Sequence, residues 1–464
     1  MKPEAILFGC GERGRFFLSE LRKDFHVAAF ADNNSALWGT EVLGVPVIPP
    51  DDIKGMENAT VFICVEKGYL DIARQLEEMG ICGVYLDWYG MAYRYQDMVF
   101  YPASFGFRKP YKKEGHPFSV LFVQKAPCGR TDKISSALKA KGVMTQNAYT
   151  RCSSKMSEAY CQENAFHSFD ELLKFVNESE FNIVHCSNEP DVLANLLLHC
   201  NKPVVADTHD LMTTRITESS FETYYLEYAA NKFAAGNIYV GTSYRDLQIQ
   251  RYGVSPERTF FIPNLPLESQ IPANIQKKPK LSASDGELHL VYEGGMSTKR
   301  TDNRFMEDIW RKIVEARVHV HYYSQQEIEY CKALEKTSPY LHYEGNLSSL
   351  ALIVEMTQYD AGLLLLNPID QNAMMAYPNK LYEYLSAGLP VISNLKESLR
   401  FAVDFGVGGG LDLQGDIQAQ LRKIAAIQVP DRFLQDHKLT MDACADGLLA
   451  FYKKIMELGK VRKR

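Results

Sequence analysis

The chain has 464 residues, 46% hydrophobic and 23% charged, more than one ordinary core organises, so two or three globular domains are expected. A net charge of −6 offers nucleic acid no basic surface, and no apolar run approaches the ~20 residues of a membrane span. The opening MKPEAILFGCGERG lacks a signal peptide's apolar core and cleavage site, and ten cysteines without CxxC pairs or metal spacing predict free thiols in the cytoplasm.

The first unit is expected over residues 1–100. Ala5-Ile6-Leu7-Phe8 reads as a strand, followed by the turn Gly9-Cys10-Gly11-Glu12-Arg13-Gly14 and the helical pattern Phe16, Phe17, Leu21. A second strand, Val27 to Ala31, delivers Asp32, 23 residues beyond Gly9. Gly9, Gly11 and Gly14 let backbone amides approach a phosphate at a helix start, and Asp32 suits ribose hydroxyls, so the loop is a candidate nucleotide site. Thr60 to Val65 and Gly83 to Leu86 add strands around a helix near Tyr69 to Glu78. The segments Asp32-Asn33-Asn34, Trp38-Gly39 and Gly44-Val45-Pro46-Val47 resemble the small Rossmann-like modules of polysaccharide-biosynthesis enzymes, nucleotide-sugar acetyltransferases among them. The resemblance leaves both a bound nucleotide and a docking role open.

Residues 101–117 read as a linker, and a second unit spans 118–271. It begins with the strand Ser119 to Gln124, after which Gly129-Arg130 opens a helix around Ile134 to Ala140. Strands follow at Phe181 to His185, Pro203 to Ala206, Ile238 to Val240 and Phe260 to Ile262. Polar residues close them in turn: His185, then Asp207-Thr208-His209-Asp210, then Thr242-Ser243, then Pro263-Asn264. Polar side chains gathered after strand upon strand mark where an open parallel sheet holds its ligand. Gln146 to Glu171 and Met212 to Tyr225 read as loops suited to an acceptor.

A Pro/Lys/Ser-rich connector, Pro272 to Gly286, leads to a third unit at 287–440. Leu288 to Tyr292 turns at Gly294-Gly295 before the charged pair Lys299-Arg300, and strands are expected at Val318 to Tyr322 and Ala361 to Leu366. The run YPNKLYEYLSAGLPV, 377–391, carries the most information. Pro378-Asn379 starts a helix, and Leu381, Tyr384 and Leu385 form its buried face. Lys380 and Glu383 emerge side by side from its first turn. A carboxylate there can accept two ribose hydroxyls, while the lysine and the helix start favour phosphate. Residues 441–464 are expected to form a closing helix with a basic tail, KVRKR, suited to peripheral attachment at the anionic inner face of a membrane.

NKLYEYLSAGLPV resembles the nucleotide-sugar-binding helix of family 4 glycosyltransferases. NIVHCSN at 182–188, ADTHD at 206–210, IPN at 262–264 and EGGMSTKR at 293–300 agree with that family in order and spacing. The resemblance covers about residues 118–458 and implies an α/β GT-B fold of twin Rossmann-like domains, preceded here by the small N-terminal Rossmann-like domain. The acceptor domain is then 118–271 and the donor-nucleotide domain 287–440. It implies transfer from a nucleotide sugar, a UDP-sugar first among candidates, to a glycan, lipid-linked or protein acceptor, with retention and without a metal or other cofactor. Glu383 then holds the ribose, with Gly294, Gly295, Asn379 and Leu381 around the nucleotide. Arg300 and Lys380 form the cation pair at the diphosphate, with Lys299 third. His209 lies near the reacting sugar, and His185, Asp210 and Asn264 contact sugar or acceptor. Fixed cations there stabilise the charge building on the departing phosphate.

The sequence also departs from the family. Gly295 stands where an arginine is usual, Met375 where many members carry a second glutamate, and Ser187 where His185 would have a histidine partner. Two other readings stay open: an NAD-dependent sugar-nucleotide oxidoreductase or epimerase using the N-terminal glycines, and a non-catalytic scaffold of a glycan assembly complex.

Overall fold

The apolar run that opens each unit becomes an inner strand of one of three sheets. A computed structural model describes residues 2–22, 25–56, 59–65, 69–81, 84–85, 100, 110–113, 115–126, 128–150, 157–187, 191–215, 221–272, 275–369, 371–375 and 377–461. In the first sheet Glu4–Phe8 lies between His26–Ala31 and Thr60–Ile63, parallel to both. Val45–Ile48 and Val84–Tyr85 flank these, and the short Glu41–Val42 pairs antiparallel at the edge.

The second sheet is wholly parallel. Its order is Thr259–Phe261, Gly236–Tyr239, Val204–Thr208, Ile183–Ser187, Ser119–Gln124, Met144–Tyr149 and Gln162–Ala165. The third is parallel too: Leu341–Gly345, Val318–Tyr323, Leu288–Glu293, Ala361–Leu364, Val391–Ser393 and Gly408–Gly409. Ser119–Gln124 and Leu288–Glu293 are buried along their whole length, as strands covered by helices on both faces must be. In both large sheets the strand order reverses beside that first strand, which opens a crevice at the strands' carboxyl ends. Those ends are Gln124 and Ser187 in one sheet, Glu293 and Leu364 in the other.

Two strands occupy what the sequence suggests is an acceptor loop: Met144–Tyr149 and Gln162–Ala165. Their polar residues hide the pattern, because Gln146 and Asn147 are buried and bonded to other side chains: Asn164 Nδ2 to Gln146 Oε1 at 3.4 Å, Gln124 Nε2 to Asn147 Oδ1 at 3.1 Å. Met212–Arg215 and Phe221–Phe233 are likewise helices, in the second expected loop; residues 216–220 and 151–156 lie outside the described set. So does most of the expected linker, residues 101–109 and 114. Tyr111, at its end, stacks on Phe181 at 4.7 Å.

The Met441–Val461 helix does not stay with the last unit. Phe451, Tyr452 and Ile455 pack on Phe118, Val120 and Ile238 of the middle sheet, in one apolar core with Leu381, Tyr382 and Leu385. Gly236 is required beneath it, since a Cβ there would meet Ile455 at 2.8 Å and Phe451 at 2.9 Å. A second core joins the first unit to the middle one, from Phe8, Ile63 and Leu76 to Phe166, Tyr228 and Tyr252. Among the described residues no helix is long and apolar enough to cross a membrane. The tail residues 462–464 lie outside them.

Candidate functional site

The helix Asn379–Ser386 buries Leu381, Tyr384 and Leu385 and turns Lys380 and Glu383 toward the crevice. Tyr384 anchors it: its hydroxyl donates to Leu363 O at 3.1 Å and accepts from Glu293 N at 3.1 Å. The Lys380 ammonium stands 4.4 Å from the Tyr292 ring centroid and against the backbone of Gly294, whose φ of +131° and lack of a Cβ make room for it. Gly294, Gly295, Gln326, Asn379, Lys380 and Glu383 line a cavity of about 350 Å³. A second cavity of about 430 Å³ adjoins it between the two large units, with Gly129, Lys133 and Asn264 on one wall and Asn379, Tyr382 and Glu383 on the other. Glu383 and Asn379 belong to both.

Glu293 ends its strand and opens the EGGMSTKR run, but no role is expected of it from sequence. It is buried, and burial, then the hydrogen bond to Glu383 and the charge of that carboxylate, push its carboxyl well above the usual range, against the pull of Lys380. The only sequence signal is an acid at the end of an apolar strand just before two glycines.

Asp207 is the hub of the opposite wall. Wholly buried, it accepts two bonds from Arg130, from Nε at 2.9 Å and Nη2 at 3.0 Å, and faces Nε2 of both His185 at 3.3 Å and His209 at 3.2 Å. Burial opposes its charge, but Arg130 and His209 hold the carboxyl well below the usual carboxylate range. His209 responds in kind: burial works against its proton, yet Asp207 and Cys128 raise it to about 10. Cys128 caps the helix Gly129–Ala140, with Sγ 3.8 Å from His209 Nδ1. Lys133, one turn into that helix, donates to Asn379 Oδ1 across the cleft at 3.3 Å. Burial and Arg130 push its ammonium down to about 8, with Glu383 and Cys128 opposing. A Gly-Arg-x-x-Lys run opening a helix after a strand is the signal for Arg130 and Lys133.

Of the other expected residues Asn264 lines the second cavity, whereas Leu381 is wholly buried in the core and lines neither. His185 is wholly buried, its Nδ1 2.6 Å from Tyr452 Oη and its Nε2 on Asp207, so it reaches a ligand only through Asp207. Arg300 does not join Lys380: it is exposed, pairs with Asp308 and lies 5.0 Å from the Phe305 ring centroid, because its loop carries it outward. Lys299 is exposed beside it. Arg304 instead lies against Gly295, where a Cβ would meet its Nη1 at 2.8 Å, and reaches Gln326 of the first cavity at 3.4 Å. Asp210 pairs with Arg215 at 3.2 Å and accepts from Asn372 Nδ2 at 2.8 Å. Asn264 accepts from Arg130 Nη1 at 3.2 Å and donates to Tyr377 O at 3.2 Å.

In the first unit Gly9 has φ +103°, and Gly14 touches the Gly9 carbonyl so closely that a side chain is excluded. Gly11 has open space around it. Asp32 is turned onto the loop itself, accepting from Cys10 N at 3.1 Å, Cys10 Sγ at 3.2 Å and Asn34 N at 2.9 Å.

Residues 1–83 match the family described as C2185-like, N-terminal. No curated protein matches the chain. Among solved structures, a glycosyltransferase from Rickettsia africae is similar at 11% identity over 73% of this chain and 98% of that one, with a TM-score of 0.55. Anabaena HepE in complex with UDP-glucose is similar at 13% identity, over 74% and 99%, with a TM-score of 0.50. A trehalose-6-phosphate synthase is similar at 11% identity, over 72% and 99%, with a TM-score of 0.51. At such identities the likeness is one of fold, and the fold is the GT-B pair of Rossmann-like units behind an N-terminal α/β unit.

Proposed function

We propose that the chain is a glycosyltransferase of the family 4 type. It moves a sugar from a nucleotide sugar, a UDP-sugar first among candidates, to a glycan, lipid-linked or protein-linked acceptor, with retention and without a metal at the reacting centre. The observation that carries this is the meeting of Lys380 and Glu383 on one wall of the cleft with Lys133 on the other. Anabaena HepE, which shares the fold, was solved with UDP-glucose.

Breaking the sugar–phosphate bond leaves positive charge on the sugar and negative charge on the diphosphate. Lys380 and Lys133, with Arg304 at the rim, supply fixed positive charge to the departing group. Arg300 keeps a part in this only by turning away from Asp308, and Lys299 lies further out with it. Glu293 retains its proton and donates it in a hydrogen bond to Glu383, which fixes that carboxylate for two ribose hydroxyls. Gly294, Gly295 and Asn379 shape the nucleotide's bed, and Leu381, wholly buried, supports the Asn379–Ser386 helix from the core. His209 keeps its proton at neutral pH, so it donates to the sugar or the oxyanion and is no general base. Deprotonation of the acceptor then falls to the leaving phosphate, which agrees with front-side displacement and retention. Asn264, on the wall of the second cavity, and Asp210, held by Arg215 and Asn372, are then assigned to the acceptor side.

The first unit serves as a docking module; a nucleotide on its loop would require Asp32 to release Cys10 and Asn34. The exposed Lys453 and Lys454 of the last helix suit peripheral contact with the cytoplasmic face of a membrane. Calorimetry with UDP-, GDP-, ADP-, CMP- and dTDP-sugars tests the reading. One donor should bind, and Glu383→Ala should weaken it about 10- to 100-fold, the worth of a charged hydrogen bond of about 1.5–3 kcal/mol. Unchanged affinity in that variant removes the assignment. Donor binding without transfer to any acceptor would leave the scaffold reading instead.

A further inference from the structure

Four of the chain's eleven histidines meet on one face of the last sheet, at the end of the strands opposite the cleft. His289 pairs in register with His319, and His321 with His342, on three neighbouring parallel strands. The rings of His289 and His319 lie 4.3 Å apart, those of His321 and His342 4.4 Å. Two hydrogen-bonded rows cross this stack. One runs from Asp285 to His289 at 3.0 Å, on to His321 at 2.9 Å and to Glu344 at 2.7 Å. The other runs from Glu287 to His319 at 2.8 Å and on to His342 at 2.8 Å.

A metal ion takes lone pairs, and one tautomer of each row presents them. With His289 Nδ1 donating to His321 and His321 Nδ1 donating to Glu344, His289 Nε2 turns its lone pair toward Asp285. With His319 Nδ1 donating to His342, the His319 Nε2 lone pair faces Glu287. One ligand atom each from Asp285, His289 and His319 then lie within 4.8 Å of one another.

We propose that Asp285, His289 and His319 bind a divalent transition-metal ion, zinc by preference, with the fourth position left to water or to Glu287, which lies 2.8 Å from His319 Nε2. Two imidazoles with carboxylates form a borderline donor set that suits zinc rather than the all-oxygen shells of calcium or magnesium. A tetrahedral ion with bonds of about 2.0–2.1 Å holds its ligand atoms about 3.3 Å apart, so small side-chain rotations complete the site. The outer shell is already built. His321, fixed by Glu344, and His342 each accept the second N–H of a ligand imidazole, which sets its tautomer and direction. Asp285 ends the short helix Ser282–Asp285 in the connector, so the ion clamps that connector to the entry side of the sheet. It lies away from Lys380 and Glu383 and takes no part in transfer.

The test uses the full chain, stripped with a chelator and dialysed, then titrated with Zn²⁺ by calorimetry and with Co²⁺ by visible absorption. The expected result is one equivalent of either ion, with the strong visible bands of four-coordinate cobalt and no thiolate charge-transfer band. Asp285→Asn and His319→Gln, both at positions that are not fully buried, should each abolish binding while circular dichroism stays unchanged. His342→Gln should weaken it about 10- to 100-fold. No stoichiometric ion in the wild-type chain, an ion that survives both ligand substitutions, or a thiolate band would each overturn the proposal.

Discussion

Cys128 shows how a residue with no sequence signature acquires chemistry from its neighbours. Burial raises its thiol, but the hydrogen bond and charge of His209, with the amides of Thr131 and Arg130 at the helix start, bring it down to about 7 from 9.0. The thiolate is the nucleophile, so alkylation of Cys128 by iodoacetamide should rise as pH passes through about 7 and be nearly complete where an ordinary cysteine has barely ionised. Mass mapping separates it from the exposed Cys161. Removing the imidazole with His209→Ala should move that midpoint up by a unit or more, since the group that favours the anion is gone; a midpoint that stays near 7 would assign the shift to the helix start alone. Alkylation also fills the mouth beside Gly129, so donor transfer should fall in step with labelling. The same contrast governs what was readable in the sequence. Lys380 and Glu383 are legible because one helical turn joins them. Glu293, Asp207 and Cys128 are not, because their partners lie 90, 77 and 81 residues away: Glu383, Arg130 and His209.

Backbone geometry decides how well each element presents those side chains. Gly294 joins the central strand of the last sheet to the donor loop at φ +131°, and a Cβ there would strike the Lys380 ammonium. Gly362 is similarly covered by the Tyr384 ring. Gly294→Ala combines a left-handed backbone with a displaced lysine, so it should cost about 1–3 kcal/mol of stability and weaken donor binding as well. Gly295→Ala meets the side chains of Gln326 and Arg304, which can swing aside, so it should cost less stability and weaken donor binding less than Gly294→Ala. Thermal melts and donor titrations of the two variants compare them directly; equal effects would show that Lys380 is not held by the turn. Strands with apolar runs, such as Ser119–Gln124, stand where the sequence places them. Met144–Tyr149 escapes because its buried Gln146 and Asn147 find partners on neighbouring strands, a long-range solution that alternation patterns do not encode.

Across the whole molecule, the two large units are joined on the cleft side by Lys133 and Asn379, and behind it by a buried carboxylate. Glu397, in the helix Lys396–Asp404 of the last unit, is wholly buried. It accepts from Thr242 Oγ1 at 3.0 Å, from Ser243 Oγ, from Tyr377 Oη at 3.2 Å and from Arg400 at 2.5 Å. Thr242 and Ser243 open the helix Thr242–Tyr252 of the middle unit, so the negative charge also sits at a helix N-terminus. Asn372 adds a second buried tie, accepting from Leu211 N at 3.0 Å. With the Lys133–Asn379 contact exposed and the Glu397 contacts buried, any opening of the cleft is expected to part Lys133 from Asn379 while Glu397 stays engaged. Glu397→Gln keeps the shape but trades charged acceptors for a neutral one, and should cost about 1.5–3 kcal/mol in urea unfolding. Ser243→Ala leaves Glu397 its other donors and should cost about 1 kcal/mol or less. Donor affinity should fall in Glu397→Gln but not in Ser243→Ala, because only the first loosens the pivot that sets Lys133 opposite Glu383. If Glu397→Gln unfolds and binds donor as the wild-type chain does, the apolar core alone holds the units together, and the cleft has no fixed hinge.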